Sequence, residues 1–206
     1  MLLTVFAGTG FAEGDVYDRI MTEEPSEKQE KPAPVETRDG KIAVIMDRFM
    51  KVNPELDEYA AGKFAEYILE ASDEFGVHPF LIAAIIIKES TVRYKARSRY
   101  AYGLMQINWS AHRRGLRSSF GEIRTLNDLI QPRNNILAGT YIFSCYLDSS
   151  DGNVSEALAM YLGSSGTRYI NGVMKHYKIM LAKYEEKQEQ RMTSLPWLSL
   201  DAQTAA

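Results

Sequence analysis

A single cysteine, Cys145, among 206 residues excludes an intrachain disulfide and any all-cysteine metal site. Histidine is almost as scarce: His78, His112 and His176 lie too far apart in the chain to form a local metal motif. The longest apolar run, Phe80 to Ile87, is eight residues, far short of the roughly 20 that a membrane-spanning helix needs. Gly8-Thr9-Gly10 lacks the third glycine and the preceding strand of a nucleotide-binding loop, and Asp151-Gly152-Asn153 does not fill a calcium loop. What remains is ordinary: 45% hydrophobic and 25% charged residues fit a globular domain with some tail, and rule out a collagen-like, wholly disordered or disulfide-scaffold chain.

Charge is unevenly spread behind a net value of −3. Residues 1–87 hold 17 acidic and 8 basic side chains, whereas residues 88–133 hold 10 basic and three acidic ones. Such a local excess is either a solvated basic face or a surface for an anionic partner. The Arg- and Tyr-rich stretch 93–102 has the composition of a single-strand nucleic-acid binder, but the acidic whole argues against nucleic acid.

Organisation follows from composition shifts. The first twelve residues are apolar or small and the charges begin at Glu13, so within an N-terminal segment 1–21 they read as the back half of an export signal, short and without its basic leader, with Phe11-Ala12 before the cut; a frayed hydrophobic N-terminus is the alternative. Residues 22–40, with three prolines and nine charged side chains, read as a disordered linker that cannot offset its ordering entropy. The folded domain is expected over residues 41–190, followed by a tail at 191–206.

Within that domain the apolar period is helical. Ile42, Ile45, Met46 and Phe49 share one helix face. Asn53-Pro54 reads as an N-cap and first helical residue, with a helix running to about Glu74 and stopped by Gly76. Pro79 opens a helix that is apolar all round and therefore buried. Residues 90–110 lack a sustained helical period and read as loop or short extended structure. Further helices are expected from Pro132, from Val154 to Leu162 behind an Asn153/Glu156 capping box, and from about Arg168 to Gln190. Cys145, between Phe143 and Leu147, reads as core.

Glu89 is the odd residue, at the end of the most apolar helix. A carboxyl held against such a wall is desolvated, which raises its pKa and keeps it protonated at higher pH. That is the state a general acid for glycoside cleavage requires. The plain alternative is a helix-end carboxylate that points outward and pairs with an arginine.

Glu89-Ser90, then Ala96, Ser98 and Gly103-Leu104-Met105-Gln106-Ile107, resemble the signature of the soluble lytic transglycosylases, the SLT-type relatives of goose-type lysozyme. Pro132, Asn135, Ile136, Gly139 and Tyr141 resemble that family's second block, and Ala157 to Gly163, with Tyr169 and Val173, its third. The resemblance covers roughly residues 65–180 and implies a mainly α, lysozyme-like domain with a substrate cleft and at most a minimal β element. It implies peptidoglycan glycan strands as the partner, with no cofactor, no metal and no nucleic acid. It also implies a monomer exported to the periplasm, cell envelope or exterior; membership of an envelope machine is left open.

By the same resemblance Glu89 is the single catalytic acid and base. It would first protonate the oxygen between N-acetylmuramic acid and N-acetylglucosamine. It would then take a proton from the C6 hydroxyl of the muramic ring, which attacks C1 and leaves a 1,6-anhydro end. Gln106 and the backbone around Met105 would line the cleft, Ser98 would sit near the acetamido pocket, Tyr161 would orient the Glu89 carboxyl, and Tyr169 would offer a face to a sugar. Three departures stand out: Leu162 replaces the usual Asn of the third block, the loop from Ser98 to Gly103 is one residue short, and Val92 and Tyr94 replace the usual Phe and Pro. A hydrolytic muramidase and a non-catalytic peptidoglycan-binding module are the competing readings, and Leu162 is the feature that favours the second.

Overall fold

The computed structural model describes residues 37–194. The expected export segment 1–21, most of the expected linker and the end of the expected tail lie outside these residues. In chain order the elements are α1 (Arg38–Val52), α2 (Glu58–Phe75), α3 (Pro79–Ser90), β1 (Ala101–Tyr102), β2 (Ile107–Asn108), α4 (Trp109–Ser119), α5 (Leu126–Leu129), α6 (Pro132–Ser149), α7 (Val154–Leu162) and α8 (Thr167–Thr193). The described chain is thus mainly helical, with one two-stranded antiparallel hairpin that pairs Ala101 with Asn108 and Tyr102 with Ile107.

The centre of this arrangement is α3. Proline at its first turn fits because that N–H has no helical partner, and His78 Nδ1 accepts from Phe80 N at 3.2 Å. Every residue from Phe80 to Ile87 is buried. α8, α2 and α1 pack around it, α6 packs against α2, and α7 against α6. Arg48 of α1 donates to His176 Nδ1 of α8 at 2.8 Å, tying these two helices together. Burial and the adjacent cations Arg48, Lys88 and Lys175 push that imidazole down to about 4, so it accepts as the neutral ring.

Several boundaries differ from the expected ones. The first helix starts at Arg38, because Thr37 caps it by accepting from Gly40 N, and the hydroxyl of Tyr184 accepts from Thr37 N at 2.8 Å. Residues 38–40 are therefore helix rather than linker, and the last helix runs three residues beyond Gln190 to Thr193. Asn53 closes α1 instead of opening α2, whose N-cap is Asp57, accepting from Ala60 N at 2.8 Å. A second capping residue four positions on, with no proline inside the helix that follows, wins the contest. α4 falls where no helix was expected: Leu116 is its one buried residue, so it has almost no apolar face to betray it. Cys145 is exposed rather than core.

Candidate active site

Glu89 occupies the last turn of α3, half-buried, behind the wall formed by Ile85, Ile86 and Ile87. The chain leaves the helix abruptly. Thr91 (φ 51°) and Val92 (φ 59°) both adopt left-handed backbone, which β-branched residues avoid. Two contacts hold this exit: Ser90 Oγ donates to Ile86 O at 3.1 Å, and Asn53 Nδ2 donates to Val92 O at 3.3 Å. Val92 itself is fully buried, so the strained turn is locked by packing.

The Tyr169 hydroxyl, in the first turn of α8, donates to Glu89 Oε1 at 2.6 Å. Burial is the largest influence on Glu89 and raises its pKa above the ordinary 4.5, while the Tyr169 hydrogen bond and the Lys88 charge pull it back. Burial and the Glu89 charge also raise both Tyr161 and Tyr169, so both phenols stay protonated donors. Among the described residues no carboxylate is one of the groups that shift Glu89. Among the described residues no group of three or more His, Cys, Asp or Glu side chains could hold a metal ion.

The segment from Gly103 to Gln106 is fixed from two sides. Asn135 in α6 is fully buried; its Oδ1 accepts from Met105 N at 2.8 Å and its Nδ2 donates to Tyr102 O at 3.0 Å. Gly103 (φ 83°) lies so close to the Asn135 amide that any side chain there would collide with it. From the other side Tyr161, at the end of α7, donates its hydroxyl to Met105 O at 2.8 Å.

The expected site residues therefore divide. The Tyr161 hydroxyl, expected at Glu89, donates to the Met105 carbonyl, and the hydroxyl that donates to Glu89 is that of Tyr169, on the helix packed along α3. Met105 is fully buried, its sulfur against Gly139 and accepting from Thr140 Oγ1 at 3.9 Å, while Asn135 and Tyr161 hold its backbone N–H and carbonyl. Gln106 Nε2 donates inward to Ala96 O (3.1 Å) and Gly103 O (3.0 Å), which leaves Oε1 as the atom that can meet a ligand. Ser98 is exposed, and its Oγ accepts from Ala101 N at 3.1 Å, closing the short turn before β1. Leu162 is 38% exposed and lies against Gly166, in the loop that leads to Tyr169.

Sequence reasoning missed Asn135 and His112 as site residues. Asn135 stood in the second block of the resemblance, but nothing in the sequence says that its side chain holds the Gly103–Gln106 segment. His112, lowered by burial, lines a small cavity of about 70 Å³ with Gln106, Asn108, Tyr146 and Tyr161.

A family model described as the transglycosylase SLT domain matches residues 66–179. The chain belongs to this family. The matched span begins in α2, before Glu89, and ends in α8, beyond Tyr169, so the Glu89–Tyr169 pair and the Asn135-held loop all belong to the SLT domain. Membership makes the domain lysozyme-like, of a transglycosylase type that acts on the glycosidic bonds of peptidoglycan. No solved structure matches the chain.

Proposed function

We propose that this SLT domain is an exported lytic transglycosylase that cleaves the β-1,4 bond between N-acetylmuramic acid and N-acetylglucosamine with Glu89 as its sole acid and base. The observation that carries this reading is a carboxyl with a raised pKa, held by one phenol, on which no second carboxylate acts among the described residues. Most glycosidases use two carboxyl groups, and substrate-assisted enzymes are the exception. One carboxyl suffices if the substrate supplies the nucleophile.

Burial keeps the Glu89 proton available for the glycosidic oxygen as that bond breaks. The carboxylate so formed then accepts the proton of the muramic C6 hydroxyl as its oxygen bonds to C1. Protons balance and no water is consumed. The acetamido group of the same sugar shields the oxocarbenium-like centre. Tyr169 is a positioning residue: its hydrogen bond fixes Oε1, favours the ionised state in the second half of the reaction, and leaves Oε2 to exchange the proton. Gln106 Oε1 and the backbone around Met105 are the groups proposed to meet sugar amides and hydroxyls, with the supports of Tyr161 and Asn135 fixing their position.

Product mass decides the reading. Purified peptidoglycan digested by the protein should release muropeptides lighter by one water than hydrolytic products, because an internal hydroxyl has replaced water. Products of hydrolytic mass would make the protein a muramidase on the same fold. The absence of any digestion, with retained binding to the wall, would make it a binding module.

A further inference from the structure

On the α5–α6 side of the Gly103 loop lies a hollow of about 440 Å³, within the roughly 300–1,000 Å³ range of ligand sites. One wall is the segment just past Glu89, with Tyr94, Lys95 and Arg97; the other is α5 and the start of α6, with Leu126, Ile130 and Gln131. Tyr94 is 42% exposed and Ile130 37% exposed, so both present apolar surface beside two cations. Lys95 Nζ lies 5.3 Å from the centre of the Tyr94 ring. Among the described residues no carboxylate is within ion-pairing distance of Lys95 or Arg97. Ala96 and Gly103 line the hollow, and their carbonyls both accept from Gln106, so the hollow backs onto the segment that carries Gln106.

We propose that this hollow binds the stem peptide of the glycan strand, with Lys95 and Arg97 receiving its carboxylates and Tyr94 and Ile130 covering its apolar side chains. The inference rests on the peptidoglycan reading of the same site. In that polymer the sugars are neutral, because the lactyl acid of the muramic ring is consumed in the amide bond to the peptide. Negative charge therefore resides in the peptide. Two uncompensated cations above an apolar floor match a carboxylate-bearing peptide and have no counterpart in a neutral sugar. The amides of Asn127 and Gln131 on the opposite wall are suited to peptide N–H and C=O groups.

The test is binding without cleavage. A soluble tetrapeptide of stem composition, and the same peptide with its carboxyls amidated, are titrated into the full chain by calorimetry and by amide chemical-shift mapping. The free peptide should perturb residues 94–97 and 126–131. Amidation, or the double variant Lys95→Ala/Arg97→Ala, should each weaken binding roughly three- to tenfold, the scale of two exposed charge contacts. Both side chains are exposed, so the variant should keep its Tm. Equal affinity for the amidated peptide, no effect of the variant, or perturbations elsewhere would overturn the assignment. Because no bond is cut, that failure is distinct from a failure of the Glu89 mechanism, which product mass reports.

Discussion

Glu89 and Lys95 stand six positions apart in sequence and in opposite surroundings. Glu89 ends a helix with no exposed apolar residue, so its environment favours the neutral acid. Lys95 lies in an open turn, exposed to water. Two left-handed residues, Thr91 and the buried Val92, lie between the two regimes. A dry wall alters the chemistry of one carboxyl, whereas an open, charged rim can only attract and orient. Substitutions on the dry side should therefore change rate and pH dependence, and those on the rim should change affinity and salt dependence.

The largest expected effect breaks the dry side. Glu89→Gln should lower wall digestion by about 10²–10⁴, the contribution of one general acid. The same change should raise stability at neutral pH by about 0.5–2 kcal/mol, as relief of an active-site compromise does. The sign follows from linkage. The folded protein holds the Glu89 proton above the ordinary pKa of 4.5, so stability falls as pH rises from there through the raised value. Melting curves across pH should show that decline in the wild type and a smaller one in the variant.

Next is the support shared by both regions. Asn135→Leu leaves the Met105 N–H without its partner and should cost about 1–3 kcal/mol for that group alone. Denaturant unfolding measures the loss, and digestion should fall with it because the loop carrying Gln106 is released. Gly103→Ala should act in the same direction, since its φ of 83° and the Asn135 amide both exclude a side chain.

Tyr169→Phe sharpens the comparison. It keeps the ring and removes the hydrogen bond that stabilises the ionised carboxyl. Activity should fall about tenfold, on the scale of one hydrogen bond to a charged group. The alkaline limb of the pH–rate profile should move to higher pH, because the Glu89 pKa rises further. A limb that stayed in place would mean that Tyr169 only packs.

The smallest effect belongs to the rim. Raising ionic strength should weaken stem-peptide binding in the wild type and barely change it in Lys95→Ala/Arg97→Ala. An equal salt response in both proteins would place the electrostatic attraction elsewhere, such as Arg113, Arg114 and Arg117 on α4.

The fold was legible wherever burial is periodic. The all-apolar run at Phe80 and the face of Ile42, Ile45 and Phe49 mark their helices because a buried surface must repeat with the helix. The hairpin strands, two residues each, and α4, with one buried side chain, carry no such repeat. The site was legible in its residue types and less so in its partners. Tyr161 and Tyr169 are both tyrosines of the third block, and nothing local says which reaches Glu89. The answer depends on α8 lying along α3 while α7 ends over the Gly103 loop.

Residue order alone determined the helical class, through its apolar periodicity, and the family, through motif blocks in sequence, and it singled out Glu89 as a carboxyl after an apolar run. The tertiary structure alone decided which phenol holds that acid, that Asn135 fixes the neighbouring loop, and that Lys95 and Arg97 edge a hollow. These are contacts between segments as far as 80 residues apart, and a hydrogen bond depends on positions in space that no local pattern records.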